Sequence, residues 1–301
     1  MTAPFLLAEG LERRVGDTQI LDRIDLSVER GQVVGLIGPS GSGKSSLLRC
    51  VAGLDPLTGG RVLVEGRAAV PGDGTIGMVF QQFNLWPHLT AGENVALALR
   101  LVRKMSRAEA GERARAMLDR VGLARFADRR PAQLSGGQQQ RVAIARTLAM
   151  EPRLILFDEP TASLDPELTT EVLDVIRGLA KTGMTMLVVS HEMGFVASVA
   201  SRAVFLDHGR VLVDGPARAV FRDAEEPRLR RFLSTYLQRV AWAPEPEPQA
   251  APVPGAASAG FPLIDAAPPA PAEAPARFPL LDAAANPPGE GLPVVGPRTA
   301  T

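Results

Sequence analysis

Apolar positions in the first 240 residues repeat with two periods, and the alternation between those periods outlines the fold. Ile24, Leu26 and Val28 alternate with polar neighbours and share one face of a strand, and Glu29-Arg30-Gly31-Gln32 follows as a turn. Val33-Val34-Gly35-Leu36-Ile37, Ile76-Gly77-Met78-Val79-Phe80, Leu154-Ile155-Leu156-Phe157 and Thr185-Met186-Leu187-Val188-Val189 are short apolar runs without alternation. Such runs predict strands buried on both faces, as in a parallel sheet. Arg61 to Arg67 predicts a further strand that runs into a turn, half of a hairpin.

Between these runs the period lengthens to that of a helix. From Thr90 to Val121, Ala110, Ala114, Met117/Leu118 and Val121 recur three or four apart, with Glu112, Arg113 and Arg115 between them. A second helix is expected from Gln138 to Met150, with Val142, Ala145 and Leu148/Ala149 on one face and Pro152 stopping it. A third carries Leu168, Val172, Ile176 and Leu179 behind Pro166, a residue tolerated in a first turn. The reading is an α/β domain over residues 1–240 with a β-rich N-terminal layer and a helical subdomain inserted at about 88–135. Its site is expected where polar residues collect at strand C-termini.

Past about residue 240 the pattern stops. Fifteen of the 26 prolines fall in residues 241–301, mixed with Ala, and only Arg277 and Arg298 are basic there. Such a stretch buries too little apolar surface for a core, so a disordered, polyproline-stiffened tail is expected. Within it Phe261-Pro262-Leu263-Ile264-Asp265-Ala266-Ala267 recurs as Phe278-Pro279-Leu280-Leu281-Asp282-Ala283-Ala284, read either as low-complexity duplication or as a tandem docking motif.

Composition acts mainly by exclusion. Basic and acidic residues both number 33 in 301, which gives no excess charge to hold nucleic acid. Cys50 is the only cysteine, so no internal disulfide framework exists and a reducing compartment is expected. No apolar stretch has the length of a membrane span, and the N-terminus lacks the basic and apolar regions of a signal peptide. A chain that stays inside the cell and meets a membrane only through a partner is expected.

The chemistry centres on Gly38-Pro39-Ser40-Gly41-Ser42-Gly43-Lys44-Ser45, which reads G-x-x-x-x-G-K-S between an apolar strand and the helix-forming Ser46-Leu47-Leu48-Arg49. Glycines let backbone N–H groups approach phosphate oxygens, and the positive end of the new helix faces the same anion. Lys44 can reach the terminal phosphates and the Ser45 hydroxyl can ligate Mg²⁺. The chain otherwise prefers arginine, with lysine only at 44, 104 and 181, so a compact ammonium at 44 is a chemical requirement. Asp158 and Glu159 end a hydrophobic strand; Asp158 is read as holding Mg²⁺, directly or through water, and Glu159 as the general base for an attacking water. Gln81 follows its own strand and could touch the metal or the water, or simply be solvated. His191 could hold a γ-phosphate, orient the water with Glu159, or be structural. Leu134-Ser135-Gly136-Gly137-Gln138 offers a second anion site, with Ser135 capping a helix and two glycines exposing N–H groups.

Taken together and in this order, the phosphate loop, Gln81, Leu134–Gln138 with Gln139-Gln140-Arg141, Leu154–Glu159, Ser163-Leu164-Asp165 and His191 resemble ATP-binding cassette (ABC) ATPases over about residues 5–237. The resemblance implies a P-loop NTPase fold, ATP and Mg²⁺ as ligands, and a head-to-tail dimer. Each ATP would lie between the phosphate loop and Ser46 of one copy and Ser135, Gly136, Gly137 and Gln138 of the other. Asp165 would then sit at the dimer seam, His191 on the γ-phosphate, and Gln81 between the site and a membrane partner. Met78–Thr90, Val102–Ser106, Pro131–Leu148 and His191–Phe195 are similar to the subunits that energise polar amino-acid importers. That implies a peripheral subunit on the cytoplasmic face of the membrane, transmembrane permease partners and, indirectly, a solute-binding protein. One departure matters: the position before Gly16 usually carries an aromatic ring that stacks on adenine, and here it is Val15. An ABC ATPase acting on DNA or ribosomes fits less well, for want of a second cassette or basic excess. A small-molecule phosphotransferase leaves Leu134–Gln138 and Ser163–Asp165 without purpose.

Overall fold

A computed structural model describes residues 4–241, with side chains through residue 235. The expected tail, its duplicated motif and most of 241–301 lie outside the described residues. In chain order the elements are β1 (Leu6–Val15), β2 (Thr18–Val28), β3 (Val33–Ile37), α1 (Lys44–Val51), β4 (Gly59–Val64), β5 (Arg67–Ala68) and β6 (Ile76–Val79). There follow α2 (Ala91–Leu101), α3 (Arg107–Arg120), α4 (Gly136–Ala149), β7 (Leu154–Asp158), α5 (Pro166–Lys181) and β8 (Thr185–Val189). The series closes with α6 (Met193–Val199), β9 (Arg202–Asp207), β10 (Arg210–Pro216), α7 (Ala217–Arg222) and α8 (Pro227–Ala241).

Two sheets carry the described residues. An antiparallel one runs β2-β1-β4-β5, and a six-stranded one runs β10-β9-β3-β8-β7-β6, parallel except for the β9–β10 hairpin. Both faces of the larger sheet are covered, which is why its central strands read as continuous apolar runs. In β3 the side chains still alternate: Val34 and Leu36 pack with α1 and the antiparallel sheet, while Val33 and Ile37 pack with the helices opposite. Gly35 leaves the second face flat, and a Cβ there would come within 2.4 Å of Val196. The edge strand β6 departs from expectation: Ile76, Gly77 and Met78 are only half-buried, because a strand with one sheet neighbour keeps one side open.

The apolar period over Thr90–Val121 resolves into two helices. Thr90 and Ser106 each accept a hydrogen bond from the N–H three residues on, while Glu93 and Glu109 reach back to the cap N–H. Lys104, at φ 56°, turns the chain between them. In α4 the helix begins at Gly136, two residues before the expected Gln138, because Ser135 and Gln138 form the same reciprocal cap and take both glycines into the first turn. β1, β9, β10, α6, α7 and α8 were not individually legible in the pattern.

Asn94 in α2 is fully buried, and its side chain organises the irregular segment before the helix. Oδ1 accepts the Trp86 N–H at 2.7 Å, and Nδ2 lies 2.9, 3.1 and 3.2 Å from the carbonyls of Thr90, Trp86 and Leu89. Replacing it by alanine leaves the Trp86 N–H and the Leu89 carbonyl without this partner, while the Trp86 and Thr90 carbonyls keep a backbone donor. Asn94→Ala is therefore expected to lose about 2 kcal/mol of stability, read as a lower urea midpoint at unchanged slope. A loss under about 0.5 kcal/mol would show that water replaces the amide at no cost.

Candidate functional site

Strand register brings the candidate residues to one edge. Val79, Phe157, Val188 and Gly35 are paired in a row across β6, β7, β8 and β3. Two residues further on, Gln81, Glu159, Ser190 and Ile37 stand at the carboxyl ends, with Gly38 and His191 one step beyond. This is where ligands bind in open parallel sheets.

The phosphate loop is shaped by what lies beneath it. Gly38, at φ 150°, passes so close to β9 that a Cβ would lie 2.1 Å from the Leu206 carbonyl. Gly43, at φ 103°, caps α1 against β2, with a Cβ position 2.9 Å from the Ile20 carbonyl. From below, the N–H of Gly209 in the β9–β10 turn donates to the Ser42 carbonyl at 3.0 Å. That turn follows Asp207, a buried carboxylate held by Arg228 of α8 at 2.7 and 2.8 Å. Pro39, Ser40 and Gly41 arch over the top, with Ser40 and Gly41 exposed, and Ser46 is half-buried in the first turn of α1.

Lys44 is only 6% exposed, and its Nζ donates to the carbonyls of Gly38 at 2.9 Å and Pro39 at 2.7 Å. Burial lowers its pKa, and the charges of Glu159 and Asp158 oppose that shift. The Ser45 hydroxyl donates to Asp158 Oδ1 at 2.6 Å. Asp158 is pushed upward by burial, against the Ser45 hydrogen bond and the charges of Arg49 and Lys44. Glu159 is held below the usual carboxylate range, first by a hydrogen bond from His191, whose Nε2 lies 2.9 Å from Oε1. Glu159 also has φ 48°, an uncommon backbone state for a side chain this size, and its N–H donates to the Val189 carbonyl at 3.0 Å. Two adjacent carboxylates are thus driven in opposite directions, Asp158 toward its protonated form and Glu159 toward its ionised form.

The remaining candidates lie apart from this cluster. Gln81 is exposed beyond the edge strand. Ser135, Gly136, Gly137 and Gln138 open α4, with Gly136 beside Leu164 and Phe83 and Gly137 against Leu168. Among the described residues no hydrogen bond or ion pair joins that turn to residues 38–46 of the same chain. Asp165 is exposed at the N-cap of α5 and its side chain makes no cap bond. Val15 is 56% exposed at the tip of the β1–β2 hairpin.

Comparison with known proteins assigns a family. The family described as "ABC transporter" matches residues 21–162. The chain is 49% identical over 236 residues to the glutamate transport ATP-binding protein GluA of Corynebacterium glutamicum, covering 76% of this chain and 97% of that one. The chain belongs to the ABC transporter family. This ABC ATPase is also 49% identical over 234 residues to the glutamine transport ATP-binding protein GlnQ of Escherichia coli, covering 75% of this chain and 97% of the relative. Its fold matches a dimeric ATP-binding cassette solved in a post-hydrolysis state with ADP and Pi, with a TM-score of 0.63 and 36% identity. That match covers 71% of this chain and 99% of the other.

Several residues that support the ABC site escaped the sequence reading. Asp207 and Gly209 brace the phosphate loop through a turn that reads as ordinary surface. Asn94 and Arg146 did leave a signal, since each is a polar residue amid the apolar stripe of its helix.

Burial of Asp158 has a thermodynamic sign. A carboxyl whose folded pKa is raised favours the fold when protonated, and that contribution disappears as pH rises through the folded value. Asp158→Asn removes this titration. Without nucleotide, the variant is expected to have a higher urea midpoint than the parent chain at pH 7. The gap narrows as pH falls through the raised folded value of Asp158 and is closed by about pH 4, where the carboxyl is protonated in both states. Its ATP hydrolysis should fall about 10–100-fold. A pH-independent stability gap would contradict this account of Asp158.

Proposed function

We propose that this chain is the ATP-hydrolysing subunit of an importer for polar amino acids, acting at the cytoplasmic face of a membrane through separate permease subunits. The observation that carries the reading is likeness over 97% of the length of two amino-acid transport ATP-binding proteins, in a chain whose Lys44, Ser45, Asp158, Glu159 and His191 converge on one sheet edge. No helix among the described residues is long and apolar enough to cross a membrane, so the passage for solute is assigned to partners. A solute-binding protein delivers cargo to those partners. The balanced charge gives nucleic acid no role. Residues 1–240 form the catalytic domain, with the helical subdomain over about 88–135, and 241–301 form an appended tail.

Two copies pair head to tail, each ATP held by residues 38–46 of one and Ser135–Gln138 of the other. The separation of these two anion-binding turns within one chain supports that pairing, as does the dimeric cassette among the structural relatives. Lys44 exchanges its loop carbonyls for the β- and γ-phosphate oxygens. The backbone N–H groups of Gly41 and Gly43, at the start of α1, face the same anion. The oxygen pair of Ser45 and Asp158 suits Mg²⁺, a hard cation that takes few protein ligands beside phosphate and water. When bound, Mg²⁺ neutralises charge developing on the phosphates. Glu159, ionised near neutral pH, takes a proton from the attacking water as its oxygen approaches the γ-phosphorus in line. His191 holds the Glu159 carboxylate through Nε2 in the ATP-free chain, and with ATP bound the same N–H turns to the γ-phosphate. Gln81 reports the site's occupancy to the permease, and Asp165 lines the seam.

Glu159→Gln keeps the shape and removes the base. Hydrolysis is expected to fall at least about 100-fold, with a closed, ATP-loaded dimer accumulating in size-exclusion chromatography. Wild-type turnover in that variant would remove Glu159 from the role. Val15 stands where an aromatic ring would stack on the base. Val15→Tyr is expected to tighten ATP binding about fivefold and to change the ATP-to-GTP affinity ratio, measured by calorimetry. Equal ATP and GTP affinities before and after the change would exclude base contact at this position.

A further inference from the structure

The segment that contains Gln81 has few hydrogen bonds of its own, yet it is tied down by one face of α4. Thr147 Oγ1 lies 3.4 Å from the Met78 carbonyl and Gln140 Nε2 donates to the Phe80 carbonyl at 3.1 Å. Arg146 then spreads its guanidinium over two successive carbonyls, Nη1 to Asn84 at 2.6 Å and Nη2 to Phe83 at 3.2 Å. Carbonyls on both sides of Gln81 are therefore held by the helix that begins at Ser135.

The arginine is the unusual member. Its guanidinium donates to two neutral carbonyls, and burial lowers its pKa. A half-buried cation that faces neutral dipoles gives up part of its hydration without gaining a counter-charge. Asn84, one of the residues it grips, has φ 49°, a left-handed turn that asparagine adopts readily. Two parallel N–H bonds to consecutive carbonyls use the planar fork of arginine, and an ammonium cannot reproduce them. At the far end of the same segment, Asn94 fixes Trp86, which is 52% exposed. The segment is rigid at both ends, exposed in the middle, and continuous with α4.

We propose that Arg146, assisted by Gln140, is a positioning residue for ATP hydrolysis: it locks Phe83–Asn84 to α4, so that Gln81 and the Ser135–Gly136–Gly137 turn move as one body. Phosphate contact at the start of α4 then displaces Gln81 without any rearrangement of α4 itself. This rests on the roles given above to Gln81 and Ser135.

The test is a double-mutant cycle on the full chain, reading kcat, KM for ATP and the thermal midpoint. Arg146→Lys keeps the charge and loses the fork. It is expected to lower kcat about tenfold while KM, set by the phosphate loop, stays within twofold. In a Gln81→Ala background the same substitution should cost less than twofold, because its target is already gone. Equal losses in the two backgrounds overturn the proposal while leaving the role of Gln81 intact. A Gln81→Ala chain with wild-type kcat removes that role, and this inference with it. If Arg146→Lys does not fold, Gln140→Met replaces it in the cycle, removing one donor and an Oε1 that has no hydrogen-bond partner among the described residues. Additive losses there overturn the proposal equally. A lowered thermal midpoint with kcat unchanged, in either variant, marks a merely structural contact and ends it.

Discussion

A hydroxyl in the first turn of α1 and a carboxylate at the end of β7, 2.6 Å apart, are separated by more than a hundred residues of sequence. The contact between Ser45 and Asp158 exists because β3 and β7 flank β8 in register and end at the same level. A one-residue slip in either pairing would turn Asp158 to the opposite face and separate the two oxygens. The apolar runs that keep these strands buried therefore set the geometry of the catalytic edge as directly as the polar residues on it. Packing on both faces of the sheet is what holds that register.

Burial then divides the labour. Asp158 is inside and resists ionisation, so its charge has to be stabilised by Ser45, Arg49, Lys44 and, in use, a cation. Glu159, one residue on, turns out of the strand through a left-handed backbone angle and meets His191. It gains a donor where its neighbour lost water, and it stays ionised. The opposite ionisation tendencies of two adjacent acids come from one backbone dihedral and the face on which each side chain lands.

Much of this could be read from the chain before any coordinates. The strand–loop–helix context of residues 33–49 follows from the apolar run, the glycine spacing and the helix-forming residues after Lys44. Asp158 and Glu159 are conspicuous because two acids end an otherwise apolar strand. Supports that act across long sequence separations were not legible. Gly209 donates to Ser42 from a hairpin far along the chain, and Asp207 is buried only because Arg228 lies over it. Neither leaves a periodic trace. The burial of β6 was overestimated for a related reason: a five-residue apolar run does not reveal whether one strand or two lie beside it. Arg146 and Asn94 fall between these cases, visible as polar interruptions of a helical stripe but silent about their partners.

Three helices of the subdomain region, α2, α3 and α4, open on the same reciprocal cap, at Thr90–Glu93, Ser106–Glu109 and Ser135–Gln138. Each cap is complete within four residues, so the start of each helix is encoded next to itself and needs no distant strand to define it. The sheet is encoded differently, since Val33 must find Met186 and Val34 must find Arg202. Chain-closure entropy therefore weighs on the sheet and barely on the insert. The polypeptide joins a locally specified module to a globally specified one, and sequence drift can lengthen or reshape the former without disturbing the strand order of the latter.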